Sequence, residues 1–210
     1  MQTRRLGQSA IEVPPIIFGG NVFGWTADRA MSFRLLDALV DAVLTAIDTA
    51  DVYSAWVPGH AGGESEMVIG EWLKARPGMR ARVTLMTKVG MEIPGKGQGL
   101  SAAWISRAAH DSLARLGVET IDLYYAHKDD EAVPQEETAR AFAALVAAGK
   151  VRVLGASNFS AARLDTAMAT SAALGLPRYE VMQPHYNLME RGIEAELVPA
   201  CMMHGIAIAP

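Results

Sequence analysis

From residue 15 onward, short apolar runs rich in β-branched residues alternate with longer stretches in which apolar residues recur every three to four positions. A period of two suits a strand and a period near 3.6 suits a helix, so a chain patterned this way builds strand–helix units. Runs at residues 15–19, 46–49, 83–88, 121–126, 151–156, 179–183 and 205–209 read as strands, and six helices fit between them. Ahead of these, residues 4–13 read either as a small hairpin turning at Gly7 to Ser9, suited to plug one end of a barrel, or as a frayed terminus.

Helix punctuation supports the strand positions. Ser101 can cap a helix that stops at Gly117, Pro134 precedes one ended by Gly149, and Ser160 caps another ending near Gly175 to Pro177. Small residues, Ala139, Ala143, Ala144 and Ala147, suggest the buried face of the fourth helix. No linker rich in Pro, Gly or Ser divides the 210 residues, which read as one domain, 1–210, with room for a core that needs no disulfide. The single cysteine, Cys201, cannot form an internal bridge and points to a reducing, cytoplasmic setting, an intermolecular disulfide being the alternative. A net charge of -4 without a basic stripe argues against a nucleic-acid partner. No signal-like or membrane-spanning apolar run is read, so no membrane partner is expected.

Repeated strand–helix units pack either as an open doubly wound sheet or as a (β/α)8 TIM-type barrel. An open dinucleotide fold places a G-x-G-x-x-G turn after its first strand, and Phe18 to Gly24 does not supply that spacing. Polar residues instead close strand after strand: Asp48, Lys88, His127, Ser157 with Asn158, and Gln183. That is how a barrel's rim is built, and the expected fold is α/β, a barrel incomplete here, with about seven parallel strands and six helices.

The rim residues suit carbonyl reduction. Hydride arriving at a carbonyl carbon leaves charge on oxygen, and a proton donor within reach lowers that barrier. Tyr53 is the best donor available, although a free phenol, with a pKa of about 10, gives up its proton reluctantly. An ammonium about 4 Å away at an effective dielectric near 20 is worth roughly 4 kcal/mol, or about three pKa units before desolvation. Lys88 is expected in this way to make Tyr53 a usable acid, with Asp48 holding Lys88 and His127 orienting the carbonyl oxygen or relaying the proton. Taken singly, Asp48 also reads as a turn or cap residue and Tyr53 as packing.

Five segments taken together resemble the aldo-keto reductases over essentially the whole chain. They are Asp48 to Tyr53 (DTADVY), Met86 to Gly90, Ile121 to His127, Gly155 to Ser160, and Gln183 to Asn187. The resemblance implies a catalytic tetrad of Asp48, Tyr53, Lys88 and His127. It also implies that Ser157, Asn158 and Gln183 hold a nicotinamide carboxamide, that Gly20 and Asn21 meet the nicotinamide ribose, and that NADPH, or else NADH, is the cofactor. Against the family's pattern the chain stops at Pro210, near the end of a seventh strand, and reads as a fragment or a shortened member. A small carbonyl compound is the expected partner, with self-association through open sheet edges. The alternative function is a cofactor-sensing or regulatory barrel, or an inactive remnant.

Other features remain. Gly59 to Ser65 lacks the Gly-Lys-Ser/Thr ending of a phosphate loop and reads as a mobile loop, and Met91 to Gly99 forms a second glycine-rich loop. Trp25 and Trp56 on rim loops suit either an apolar substrate pocket or ordinary loop packing. His127 with Asp129 and Asp130 matches no common metal spacing, and His60, His110, His185 and His204 add no ligand pair, so no metal is expected.

Overall fold

In a computed structural model of the chain, which describes residues 2–210, the seven expected strands pair in sequence order and all in parallel. They are β3 (Ile17–Gly19), β4 (Ala46–Asp48), β5 (Thr84–Val89), β6 (Ile121–Ala126), β7 (Val151–Ser157), β8 (Tyr179–Gln183) and β9 (Ala207–Ile208). Helices α1 (Arg29–Asp41), α2 (Glu64–Ala75), α3 (Ala102–Leu116), α4 (Gln135–Ala147), α5 (Ala161–Leu174) and α6 (Leu197–His204) connect them. The sheet curls as part of an incomplete (β/α)8 barrel. The strand expected at 15–19 is shorter because Pro15 has no N–H to donate, and pairing begins at Ile17. Likewise Gly205, at φ 62, ends α6 in the left-handed conformation, so β9 starts only at Ala207.

Residues 4–13 form the hairpin, β1 (Arg4–Arg5) antiparallel to β2 (Glu12–Val13). Its inward residues Leu6 and Val13 pack on Ala46, Met86, Leu123, Tyr125 and Val181. These come from alternate positions of the central strands, whose intervening residues, Ile47, Leu85, Tyr124 and Leu154 among them, join the helix layer. The hairpin therefore covers the lower end of the sheet's interior. It approaches β8 so closely that a Cβ at Gly7 would lie 2.4 Å from the Glu180 carbonyl oxygen.

Ser101 and Ser160 cap α3 and α5 by accepting from Trp104 and Arg163 N–H, and the two helices end at Gly117 and Gly175. On α4 the buried positions are Thr138 and Phe142, with Ala139 and Ala143 only half-buried and Ala144 and Ala147 exposed. This corrects the alanine face expected from sequence. Phe142 fills the space instead, edge-on to Tyr124 and Tyr179 at 5.7 and 6.3 Å.

Candidate active site

Alternation along each strand decides which polar residues meet. Ala46, Met86, Leu123 and Val181 face the interior, so Asp48, Lys88, Tyr125, His127 and Gln183 face it too, higher up. Lys88 is fully buried, and its ammonium donates to Asp48 Oδ2 at 2.5 Å, to the Thr49 carbonyl at 2.8 Å and to Tyr53 Oη at 2.8 Å. All three N–H donors are thus used, as a buried ammonium requires. Tyr53 arrives on the loop after β4 and stands edge-on to His127, ring centroids 5.9 Å apart. The four expected tetrad residues are together.

Burial and charge compete at each of them. Burial pushes Tyr53 up, Lys88 pulls it down and Asp48 pushes it up again, and the net direction is above the ordinary phenol value. The expected pull of Lys88 on Tyr53 is present, and desolvation, which that expectation left out, outweighs it. For Lys88, burial works against the charge and Asp48 and Tyr53 more than restore it, so the lysine stays an ammonium. Burial holds the Asp48 carboxyl above its usual value despite Lys88. His127 is driven down to about 3 by burial and then by Lys88, so its imidazole is neutral at ordinary pH. Its Nδ1 is buried without a partner, which leaves Nε2 as the nitrogen open to the crevice.

That crevice, about 370 Å³, is lined by Gly19, Asp48, His127, Ser157, Asn158 and Gln183 among others. Ser157 donates to the Gln183 carbonyl at 2.7 Å. Asn158, at φ 56, sends its amide N–H to the His127 carbonyl at 2.9 Å and to Ser157 Oγ at 3.0 Å, an excursion that asparagine tolerates better than most residues. Its amide oxygen remains to pair with a ligand, and the Gln183 side-chain amide, which also bonds Asp48, lines the same crevice, a combination that fits a carboxamide, itself both donor and acceptor. Gly20 and Asn21 lie outside this lining. Gly20 is packed where a Cβ would sit 2.9 Å from the Asp48 carbonyl oxygen, and Asn21 is exposed on the rim.

Trp25 and Trp56, each about half exposed, meet edge-to-face at 5.5 Å, and Trp56 meets Tyr53 at 6.1 Å. Their loops are tied by Ser54 Oγ donating to the Phe23 carbonyl at 3.0 Å. Asp129 is engaged by Arg163 at 2.6 Å, Asp130 accepts from Leu100 N–H at 2.9 Å, and among the described residues no cluster of His, Cys, Asp or Glu is arranged to hold a metal ion.

Sequence comparison bears on this geometry. The Aldo/keto reductase family model matches residues 15–210. The chain belongs to that family. An uncharacterized oxidoreductase, YrpG, of Bacillus subtilis (strain 168) is 33% identical over 99% of this chain and 65% of its own length. The aldo-keto reductase AMT2 of Alternaria alternata is 31% identical over 99% of this chain and 63% of its own. An aryl-alcohol dehydrogenase [NADP(+)] of Phanerodontia chrysosporium is 34% identical over 95% of this chain and 55% of its own. This aldo/keto reductase chain therefore spans between about half and two thirds of the length of those relatives.

Three buried polar residues beside the site carried no role in the sequence reading: Glu66, and Asp51 and Tyr125 within the segments singled out there. Tyr125 lies beside Lys88, in register on the next strand, with the ammonium 5.9 Å from its ring, and a Cβ at the facing Gly155 would fall 2.4 Å from that ring. The signal available was the absence of a side chain at Gly155, in register with Tyr125.

Proposed function

We propose that this aldo/keto reductase chain reduces aldehydes or ketones to alcohols, with NADPH as the reductant, NADH being the other choice, and Tyr53 as the proton donor. The supporting observation is the contact of a fully buried ammonium, Lys88 Nζ, with Tyr53 Oη at 2.8 Å, while Asp48 neutralises that ammonium from below. A bound nicotinamide supplies the hydride that reaches the carbonyl carbon. The substrate's C=O π electrons move to oxygen, and the Tyr53 O–H bond breaks as its proton goes to that oxygen, giving the alcohol. Lys88 stabilises the phenolate left behind, and solvent returns the proton. Neutral His127 donates from Nε2 to orient the carbonyl oxygen and carries no charge of its own.

Ser157, Asn158 and Gln183 would hold the carboxamide, on the strength of the amide groups that line the crevice. For Gly20 and Asn21 the support is the family likeness alone. The Trp25–Trp56 wall beside Tyr53 favours flat apolar carbonyl compounds, in line with the aryl-alcohol dehydrogenase among the relatives. The lone Cys201 fits a cytoplasmic setting.

Spectrophotometric consumption of NADPH with benzaldehyde tests the reading, with NADH and a short aliphatic aldehyde as comparisons. Turnover is expected in the parent chain and a loss of at least about 100-fold in Tyr53→Phe, the scale of positioned acid catalysis. Equal turnover in the two would remove Tyr53 from the role. Cofactor binding by fluorescence without consumption by the parent would instead favour the sensing module.

A further inference from the structure

A second polar cluster lies behind the strand that carries Lys88, on the helix side of the sheet and out of the crevice. Side chains alternate along β5, so Thr87 faces the helices while Lys88 faces the interior. Thr87 Oγ1 donates to Glu66 Oε1 at 2.5 Å, and Glu66 Oε2 accepts from Arg115 Nε at 2.6 Å. Glu66 and Thr87 are fully buried. One residue earlier in α2, Ser65 Oγ accepts from Thr49 Oγ1 at 2.8 Å and donates to the Gly20 carbonyl at 2.7 Å. The first turn of α2 is therefore fastened at two points, to β5 next to Lys88 and to the end of β4 next to Asp48.

Between those fastenings runs the loop that carries Tyr53. Its backbone is tied to the same places, Asp51 N–H donating to the Lys88 carbonyl at 3.2 Å and Gly63 N–H to the Tyr53 carbonyl at 3.3 Å. The phenol and the ammonium belong to different elements, so their contact depends on how loop and strand are held relative to one another. A buried carboxylate with two charge-assisted partners is well suited to fix that relation, because displacing it strands a charge in a dry place. Asp51 reinforces the point. Arg115 bonds Glu66 and not Asp51, whose two carboxyl oxygens are buried with no side-chain partner and whose pKa is pushed well up by burial and then by the charge of Glu66.

We infer that Glu66 and Thr87 are positioning residues that hold the Tyr53 loop and the Lys88 strand in the relation at which phenol and ammonium touch. The catalytic consequence rests on the proposed reductase function; the structural one does not. The test is the ionisation of Tyr53, followed by near-ultraviolet absorbance and isolated by subtracting the Tyr53→Phe counterpart of each protein. In Thr87→Val and in Glu66→Gln, Tyr53 is expected to ionise at higher pH than in the parent, because the ammonium no longer sits on it. In the same variants kcat for aldehyde reduction should fall roughly tenfold with KM unchanged. Thr87→Ser, which keeps the hydroxyl, should restore both. Should Thr87→Val fail to fold, Glu66→Gln, nearly identical in shape, carries the comparison. Variants that melt earlier yet keep the parent's Tyr53 titration and kcat would overturn the inference. Because the titration needs no turnover, a parent that titrates as expected but consumes no cofactor would count against the reductase function and leave the positioning role intact.

Discussion

His127 shows how far a fold can move a single residue. With its pKa at about 3 against an ordinary 6.5, the imidazole takes up a proton far more readily in the unfolded chain than in the folded one. Stability attached to the neutral ring is complete above pH 6.5 and is lost as pH falls toward 3. Between pH 7 and pH 4 the loss should be on the order of 3 kcal/mol, readable from urea melts at the two pH values and largely absent in His127→Gln. The same neutrality means that kcat for reduction should show no limb near pH 6.5. Asp48, Lys88, His127, Ser157 and Gln183 were legible in sequence because each closes an apolar strand, where a polar side chain needs a reason. Glu66 was not, since an acid in a helix's first turn is the ordinary complement to the helix dipole. The net acidity of Tyr53 was not legible for a related reason: sequence supplies the nearby charge but not the depth of burial that opposes it.

Helix ends supply the clearest case at the scale of elements. Helices α3, α5 and α6 all stop at glycine in the left-handed conformation, at φ 65, 62 and 62, and the first two were visible in the sequence for that reason. At the end of α1 the same conformation falls on Val43, at φ 61, with Leu44 N–H reaching back to the Leu39 carbonyl at 2.8 Å. A β-branched residue is strained there, and Val43 is 60% exposed, so little packing compensates it. Val43→Gly should raise stability by roughly 1 kcal/mol, net of glycine's greater freedom when unfolded, and the melting temperature by about 2–4 °C in a thermal scan. The α4 face, by contrast, could not be read from composition. Its alanines lie on both sides of the helix, and only tertiary contact shows that Phe142 and Thr138 are the ones turned inward.

For the whole molecule, the alternating pattern announced parallel strand–helix units, and the polar residues that close the strands pointed to a barrel over an open sheet. No helix among the described residues is long and apolar enough to cross a membrane. The edges of the sheet are β3 and β9, each with a row of backbone groups on its outer side. The 210-residue chain is accordingly expected to self-associate, seen as a concentration-dependent rise in mass by light scattering after size exclusion. A constant monomer mass would count against it. The two ends of the sheet are divided between tasks, the β1–β2 hairpin covering one and the Lys88 cluster occupying the other. For anyone wishing to fix the protein to a bead or an electrode, the hairpin is therefore the natural handle: a tether there would leave the mouth of the crevice turned toward the surrounding liquid.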